Sequence, residues 1–121
     1  MQKFMIADAS DVVRKVGRRI LSELDFVVTE AASAEETLSR CKVDMPDYMV
    51  VDSAMPGALD LISSIRALDD GKAVKIYYCV IEADLRKLMA GKRAGATDFL
   101  LKPFDRKILT AVFGKRSVAA A

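Results

Sequence analysis

Short apolar runs alternating with amphipathic stretches predict an α/β domain of (βα)₅ type, a doubly wound parallel sheet with helices on both faces. Three observations carry this. Five runs read as strands: Lys3–Ala7, Val27–Thr29, Tyr48–Asp52, Lys75–Ile81 and Asp98–Leu101. Between them lie stretches with helical spacing, opened by capping residues and closed by breakers. Finally, three of the runs end on charge: Asp8 follows the first, Asp52 closes the third and Lys102 follows the last. Parallel strands would bring these charges to one carboxyl edge, where open α/β sheets place their sites.

The first strand, β1, is predicted over Lys3–Ala7. Ser10 or Asp11 can cap the helix after it, α1, whose apolar positions Val13, Val16, Ile20 and Leu24 step by 3, 4 and 4. Gly17 weakens that helix by roughly 1 kcal/mol against Ala. Val27-Val28-Thr29 is β-branched and reads as β2. Ser33-Ala34-Glu35-Glu36 is a capping box that opens α2 to about Cys41, and Met45-Pro46-Asp47 breaks the chain before β3, Tyr48–Asp52. Helix α3 is predicted over Leu59–Leu68 with Leu61, Ile62 and Ile65 on one face, ending in Asp69-Asp70-Gly71. Lys75–Ile81 is β4. Asp84 can cap α4, packed by Leu85, Leu88 and Met89 and stopped by Gly95. Asp98–Leu101 is β5, and Asp105 caps α5, which runs through Phe113 to Gly114. The domain is expected over residues 1–114, with 115–121 a disordered tail lacking any core-facing pattern.

At 121 residues, 52% apolar and 30% charged, the chain can bury one core without disulfides or metal staples. No apolar run approaches the roughly 20 residues of a membrane span, and Met1-Gln2-Lys3 leads straight into a strand, so a cytoplasmic location is expected. Cys41 and Cys79 lack metal spacing and read as buried reduced thiols. The chain has no His, which removes the commonest acid–base residue, most zinc sites and any role as a phosphohistidine carrier. Net charge is only +2, but residues 1–83 hold 10 Lys/Arg against 14 Asp/Glu, and residues 84–121 hold 9 against 3. The basic residues are spread along two helices, as a solvated face or a surface for an acidic protein partner; no nucleic-acid or membrane partner is expected.

An ionised Asp at the end of an apolar strand has lost solvent on one side and needs a cation, donors or a chemical role. Clustered carboxylates suit Mg²⁺, a hard cation that takes oxygen ligands. An Asp beside Mg²⁺ and a Lys can also accept a phosphoryl group: the carboxylate attacks phosphorus and the ammonium pairs with the transferred group. The plainer roles are a loop cap for Asp52, a helix cap for Asp8 and a structural salt bridge for Lys102.

Ile6-Ala7-Asp8 before a helix start at Ser10–Arg14, Val51-Asp52 followed by Met55-Pro56, Ala94-Gly95-Ala96, and Lys102-Pro103-Phe104 together resemble the receiver domains of two-component response regulators, particularly the free-standing CheY-like kind. The resemblance spans Lys3 to about Phe113. It implies a flavodoxin-like sheet of strand order 2-1-3-4-5. It implies Asp52 as phosphoacceptor, Asp8 as an acid of the Mg²⁺ site with Asp52 and the Ala54 backbone carbonyl as further ligands, and Lys102 as the phosphate-pairing lysine before a cis proline. Phe99 matches the aromatic whose rotation reports phosphorylation on the α4–β5–α5 face. The partners implied are a histidine kinase or histidine phosphotransfer protein and a downstream protein target. The protein would be a monomer or weak dimer, not an enzyme beyond self-phosphorylation and autodephosphorylation at Asp52. With no effector segment in the sequence, output is expected through protein contacts.

Three departures accompany the match. The family has two adjacent acids after β1; here the second is Ala9, so Mg²⁺ affinity should fall, with Ser10 or Asp11 able to compensate only through water. The Ser/Thr that contacts the phosphoryl group at the end of β4 is Val80, which keeps the shape and deletes the donor. After Met55-Pro56-Gly57-Ala58 the chain goes directly to Leu59-Asp60, so the loop beside the phosphoacceptor is about two residues short. These motivate an alternative, a degenerate receiver acting as a phosphorylation-independent interaction module. A flavin protein of similar topology is disfavoured, because Asp8-Ala9-Ser10-Asp11 offers acids where a phosphate would sit.

Overall fold

Strands buried on both faces need uninterrupted apolar runs, and the three central strands have them. The computed structural model, which describes residues 1–82, 84–103 and 105–114, sets β1 (Lys3–Ala7), β3 (Tyr48–Asp52) and β4 (Lys75–Val80) side by side in a five-stranded parallel sheet. The edges are β2 (Val27–Ala31) and β5 (Asp98–Leu101), giving the order β2-β1-β3-β4-β5 that the resemblance implied. Ala7 registers with Val51, Asp52 with Cys79 and Val80 with Leu101, so the strands end in step. This brings the residues that close them to one edge.

Side chains of a strand alternate between faces, and the two faces hold separate cores. Met5, Ala7, Met49, Val51, Ile76, Tyr78 and Val80 pack under α2 (Ala34–Val43) and α3 (Ala58–Ala67). Phe4, Ile6, Val28, Val50, Cys79 and Leu100 pack under α1 (Asp11–Glu23) and α5 (Arg106–Phe113). On that second face Phe4 meets Phe26 and Phe113 edge-on, at ring centroid distances of 5.0 and 4.9 Å. Burying each such side chain stabilises the fold by roughly 1.5–3 kcal/mol. Cys41 and Cys79 are buried free thiols, as expected.

The caps agree with the sequence. Ser10 accepts from the Val13 N–H, Asp84 from Arg86 at the start of α4 (Leu85–Ala94), and Asp105 from Ile108. Ser33 accepts from Glu36, but Glu36 returns its bond to the Ala32 N–H, one residue earlier than a strict capping box requires. Gly95 closes α4 at φ +118°, a conformation only glycine takes without strain. Strand β4 stops one residue early, because Ile81 turns into solvent. Among the described residues no helix is long and apolar enough to cross a membrane. The expected tail, 115–121, lies outside the described residues.

Two helix faces differ from expectation. On α1 the buried residues are Arg14, Gly17, Ile20 and Leu21, while Val16 is exposed. Arg14 turns the helix inward because its guanidinium finds charged and carbonyl partners under the β1 and β2 ends. On α4, Leu85 is 70% exposed and Met89 49%, and the buried residue is Gly91, seated on Tyr78. Leu88 is half-buried against the core.

One polar contact ties the opposite edge of the sheet together. Arg66, near the end of α3, donates to the carbonyls of Gly95 (2.8 Å), Gly71 (2.8 Å) and Val74 (2.6 Å) and to Thr97 Oγ1 (3.1 Å). Its guanidinium joins α3, the turn at Asp69–Gly71, the start of β4 and the α4–β5 connection.

Candidate functional site

Asp8 stands one residue beyond β1 and is 4% exposed. Its N–H donates to the Ala31 carbonyl at 3.1 Å, which holds it beside β2. One carboxylate oxygen accepts the Ser10 N–H at 2.8 Å and the other accepts Lys102 Nζ at 2.7 Å. Asp52, the last residue of β3, accepts the Ala54 N–H at 3.2 Å and stands 3.3 Å from Lys102 Nζ. Lys102 follows β5 directly, its N–H donating to the Val80 carbonyl at 2.8 Å, and its peptide bond to Pro103 is cis. The three charges that sequence placed at the strand ends therefore converge on one ammonium.

The electrostatics follow from that geometry. Burial pulls the Lys102 ammonium down, but the Asp8 hydrogen bond and the Asp52 charge outweigh it and hold its pKa above the ordinary lysine value. The arrangement resists deprotonation of the lysine and keeps both carboxylates within reach of a positive charge.

Behind Asp8 lies a network that sequence reasoning missed. Arg14 Nη1 donates to the Asp8 carbonyl at 2.7 Å, Nε to Glu30 at 3.2 Å, and Nη2 pairs with Asp11. Lys15 and Arg18 also reach Glu30. Burial opposes the charge on Glu30, yet the bonds from Arg18, Lys15 and Arg14 keep its carboxyl below the usual range. The available signal was a charged residue three positions before the only glycine on α1.

The other candidates fall as follows. Val80 is completely buried at the end of β4, and Phe99 is half-buried against the same core. Ala54 is exposed in the loop after Asp52, and no described residue donates to its carbonyl. Of the two residues able to compensate through water for the missing second acid, Ser10 accepts from the Val13 N–H through Oγ at 3.2 Å and Asp11 pairs with Arg14. Among the described residues no group of three or more His, Cys, Asp or Glu gathers anywhere. Asp8 and Asp52 bring two carboxylates to this edge, and the Ala54 carbonyl, in the loop after Asp52, is a third oxygen that could join them. That set suits Mg²⁺, which binds through one or two carboxylates and keeps several waters. Beside Lys102, a groove of about 400 Å³ is lined by Val12, Val13, Val16, Ile81 and Pro103.

Comparison with known proteins agrees with this geometry. The model of the response regulator receiver domain matches residues 4–113. The transcriptional regulatory protein CseB of Streptomyces coelicolor is 31% identical over 107 residues, 88% of this chain and 45% of that protein. The chain spans about half the length of the curated relatives it matches. Among solved structures, the chemotaxis response regulator CheY4 of Vibrio cholerae superposes with a TM-score of 0.88 at 26% identity, covering 93% of this chain and 95% of the other. The receiver domain of sensor histidine kinase PA1611 from Pseudomonas aeruginosa, solved with magnesium coordinated in its active site cleft, has a TM-score of 0.84 at 24% identity over 98% of both chains, a likeness of fold.

Proposed function

The chain belongs to the response regulator receiver domain family, and on that premise we propose that it takes a phosphoryl group onto Asp52 from a histidine kinase or histidine phosphotransfer protein. The observation that carries this reading is the single ammonium of Lys102, 2.7 Å from Asp8 and 3.3 Å from Asp52. An Asp52 carboxylate oxygen attacks phosphorus, an O–P bond forms, and the P–N bond of the phosphohistidine breaks. The electron pair leaves with the imidazole nitrogen, and the product is an acyl phosphate. Lys102 pairs with an oxygen of the arriving group, and the Ala54 N–H, already on Asp52, orients the nucleophile. Asp8, held by Ser10, fixes Lys102 from the other side.

Asp8, Asp52 and the Ala54 carbonyl would hold Mg²⁺, which when bound neutralises charge on the transferred oxygens. With Ala9 where the family carries a second acid, that binding is weak. Output runs through the α4–β5–α5 face, where Leu85, Met89 and Leu101 are exposed and await an unidentified protein target.

A second reading is supported by the closed Lys102–Asp8 pair and by Val80, which offers no hydroxyl to a phosphoryl group: a degenerate receiver that binds its partner without phosphorylation. Intact-protein mass spectrometry after incubation with acetyl phosphate and MgCl₂ separates the two. The first reading expects one phosphoryl adduct, absent in Asp52→Ala and without Mg²⁺. No adduct from acetyl phosphate or from a cognate kinase would leave the second.

A further inference from the structure

Strand β2 ends the sheet, so one side of its backbone meets no other strand. The Val27 N–H donates to the Gln2 carbonyl at 2.9 Å, and the Ala31 carbonyl accepts the Asp8 N–H at 3.1 Å. Val27, Thr29 and Ala31 therefore turn their main-chain groups towards β1, and Val28 and Glu30 turn theirs outward. Among the described residues none bonds to those outward groups. The N–H groups on either side of them are already used, Phe26 on the Leu21 carbonyl at 3.1 Å and Ala32 on Glu36 at 2.6 Å. The open stretch runs from Val28 to Glu30 and is closed at both ends. A row of unpaired strand groups is a template for another strand.

The helices beside β2 give this edge a different wall on each face. On the α1 side, the Lys15 and Arg18 side chains are 68% and 54% exposed, and both share Glu30 with the buried Arg14. One carboxylate serves three cations, at 3.2, 3.4 and 3.1 Å, while Asp11 pairs with Arg14, the innermost of them. Lys15 and Arg18 thus carry positive charge that Glu30 alone does not offset. A cleft of about 460 Å³ follows Val28, Glu30 and Ala32, with Lys15 and Arg18 on one side and Arg40, paired with Glu36, on the other. On the α2 side, Val27 and Thr29 are exposed and line a second hollow, of about 560 Å³, with Val43 and Pro46. Its Lys3 and Asp44 pair with each other, which leaves that wall apolar and neutral.

We propose that the open edge of β2 takes up an extended segment of a protein partner as an added strand, one whose side chains alternate acidic and apolar. Main-chain bonds to Val28 and Glu30 hold the segment, and the two walls select it. Successive side chains of a strand point to opposite faces. Those on the α1 side meet Lys15 and Arg18 and call for Asp or Glu, and those on the α2 side meet Val27, Thr29 and Val43 and call for apolar residues. A second copy of the chain fits less well. Antiparallel pairing of β2 with its twin about Thr29 sets the Lys15 and Arg18 of both copies on one face of the seam, where like charges repel. The docking rests on Val28, Glu30, Lys15 and Arg18 and needs no phosphoryl group on Asp52.

The test is an amide NMR titration of the full chain with end-capped peptides of about seven residues, long enough at roughly 3.3 Å per residue to cover the edge. One peptide alternates Asp and Val, the other Lys and Val. We expect the Asp–Val peptide to shift the Val28 and Glu30 amides and, at saturation, to slow their hydrogen exchange by about tenfold or more, and the Lys–Val peptide to do neither. Lys15→Gln combined with Arg18→Gln should weaken the Asp–Val peptide by about fivefold. The comparison of the two peptides on wild type stands even if that variant fails to fold. Unmoved Val28 and Glu30 amides at millimolar Asp–Val peptide, or equal shifts with both peptides, overturn the proposal. So does a peptide-free chain that sediments as a dimer with these two amides already protected, which gives the edge to a second copy.

Discussion

Lys102 Nζ lies closer to Asp8, at 2.7 Å, than to Asp52, at 3.3 Å. The tighter partner is the carboxylate just beyond β1, which is also the only acid the β1–α1 turn contributes to the site. Any cation entering between the two carboxylates competes with an ammonium already shared by both. The missing second acid therefore weakens cation binding in two ways: it removes an oxygen ligand, and it leaves Asp8 committed to Lys102.

Restoring that acid should reverse both effects. In Ala9→Asp, a third carboxylate joins the edge and offers the cation a site that Lys102 does not hold. Mg²⁺ affinity should rise by about tenfold or more, since ligand charge count tunes such sites. Isothermal titration calorimetry of wild type and variant with MgCl₂ checks this, and equal affinities would show that residue 9 does not face the cation.

The lysine makes a separate prediction about pH. Its pKa in the fold is raised above the ordinary value of 10.5. A raised pKa means that the pairing contributes stability fully present below 10.5 and lost as pH rises through the folded value. Urea unfolding between neutral pH and pH 12 should thus show wild type losing stability in the alkaline limb relative to Lys102→Met, which has no ammonium to lose. At neutral pH the variant should be less stable by about 2–4 kcal/mol, the cost of leaving buried carboxylates without their partner. Lys3, whose pKa is also raised, is common to both proteins and cancels.

Val80 supports a third. A threonine there fits the same space at the end of β4 and presents a hydroxyl where none now exists. Because Val80 is completely buried, the hydroxyl should cost about 1–3 kcal/mol if it finds no partner in the resting protein. The phosphoryl group would supply that partner, so Val80→Thr should yield more Asp52 adduct at a given time with acetyl phosphate. Chemical denaturation measures the first effect and intact mass the second.

How far the sequence carried the reading depended on whether a residue's environment is local. The strands and caps are local: Ser10, Ser33, Asp84 and Asp105 all cap where their spacing placed them, and β1, β3 and β5 have the expected bounds. Asp8, Asp52 and Lys102 were legible because parallel topology alone brings strand ends together. The face of α1 was not. Periodicity counts apolar residues, and Arg14 is buried by partners on other elements, the Asp8 carbonyl and Glu30. Nor was the face of α4, where the close approach is made by Gly91 and the apolar residues Leu85 and Met89 are left outside. Arg66 escaped notice for the same reason, since its acceptors are backbone carbonyls that no side-chain pattern announces.

Arg66 gives the last prediction, one about the fold apart from the site. Its guanidinium donates to the carbonyls of Gly71, Val74 and Gly95 and to Thr97 Oγ1, so four segments share one cation. Burial lowers its pKa, as expected for a charge held by dipoles instead of by a carboxylate. Removing it leaves several part-buried carbonyls without a donor, and Arg66→Ala should lose about 2–4 kcal/mol. Lysine keeps the charge but cannot form the planar fork, so Arg66→Lys should recover less than half of that loss. Urea unfolding of the three proteins measures both differences. A lysine variant as stable as wild type would mean that charge alone, and not the geometry of the fork, holds the α4–β5 connection to α3.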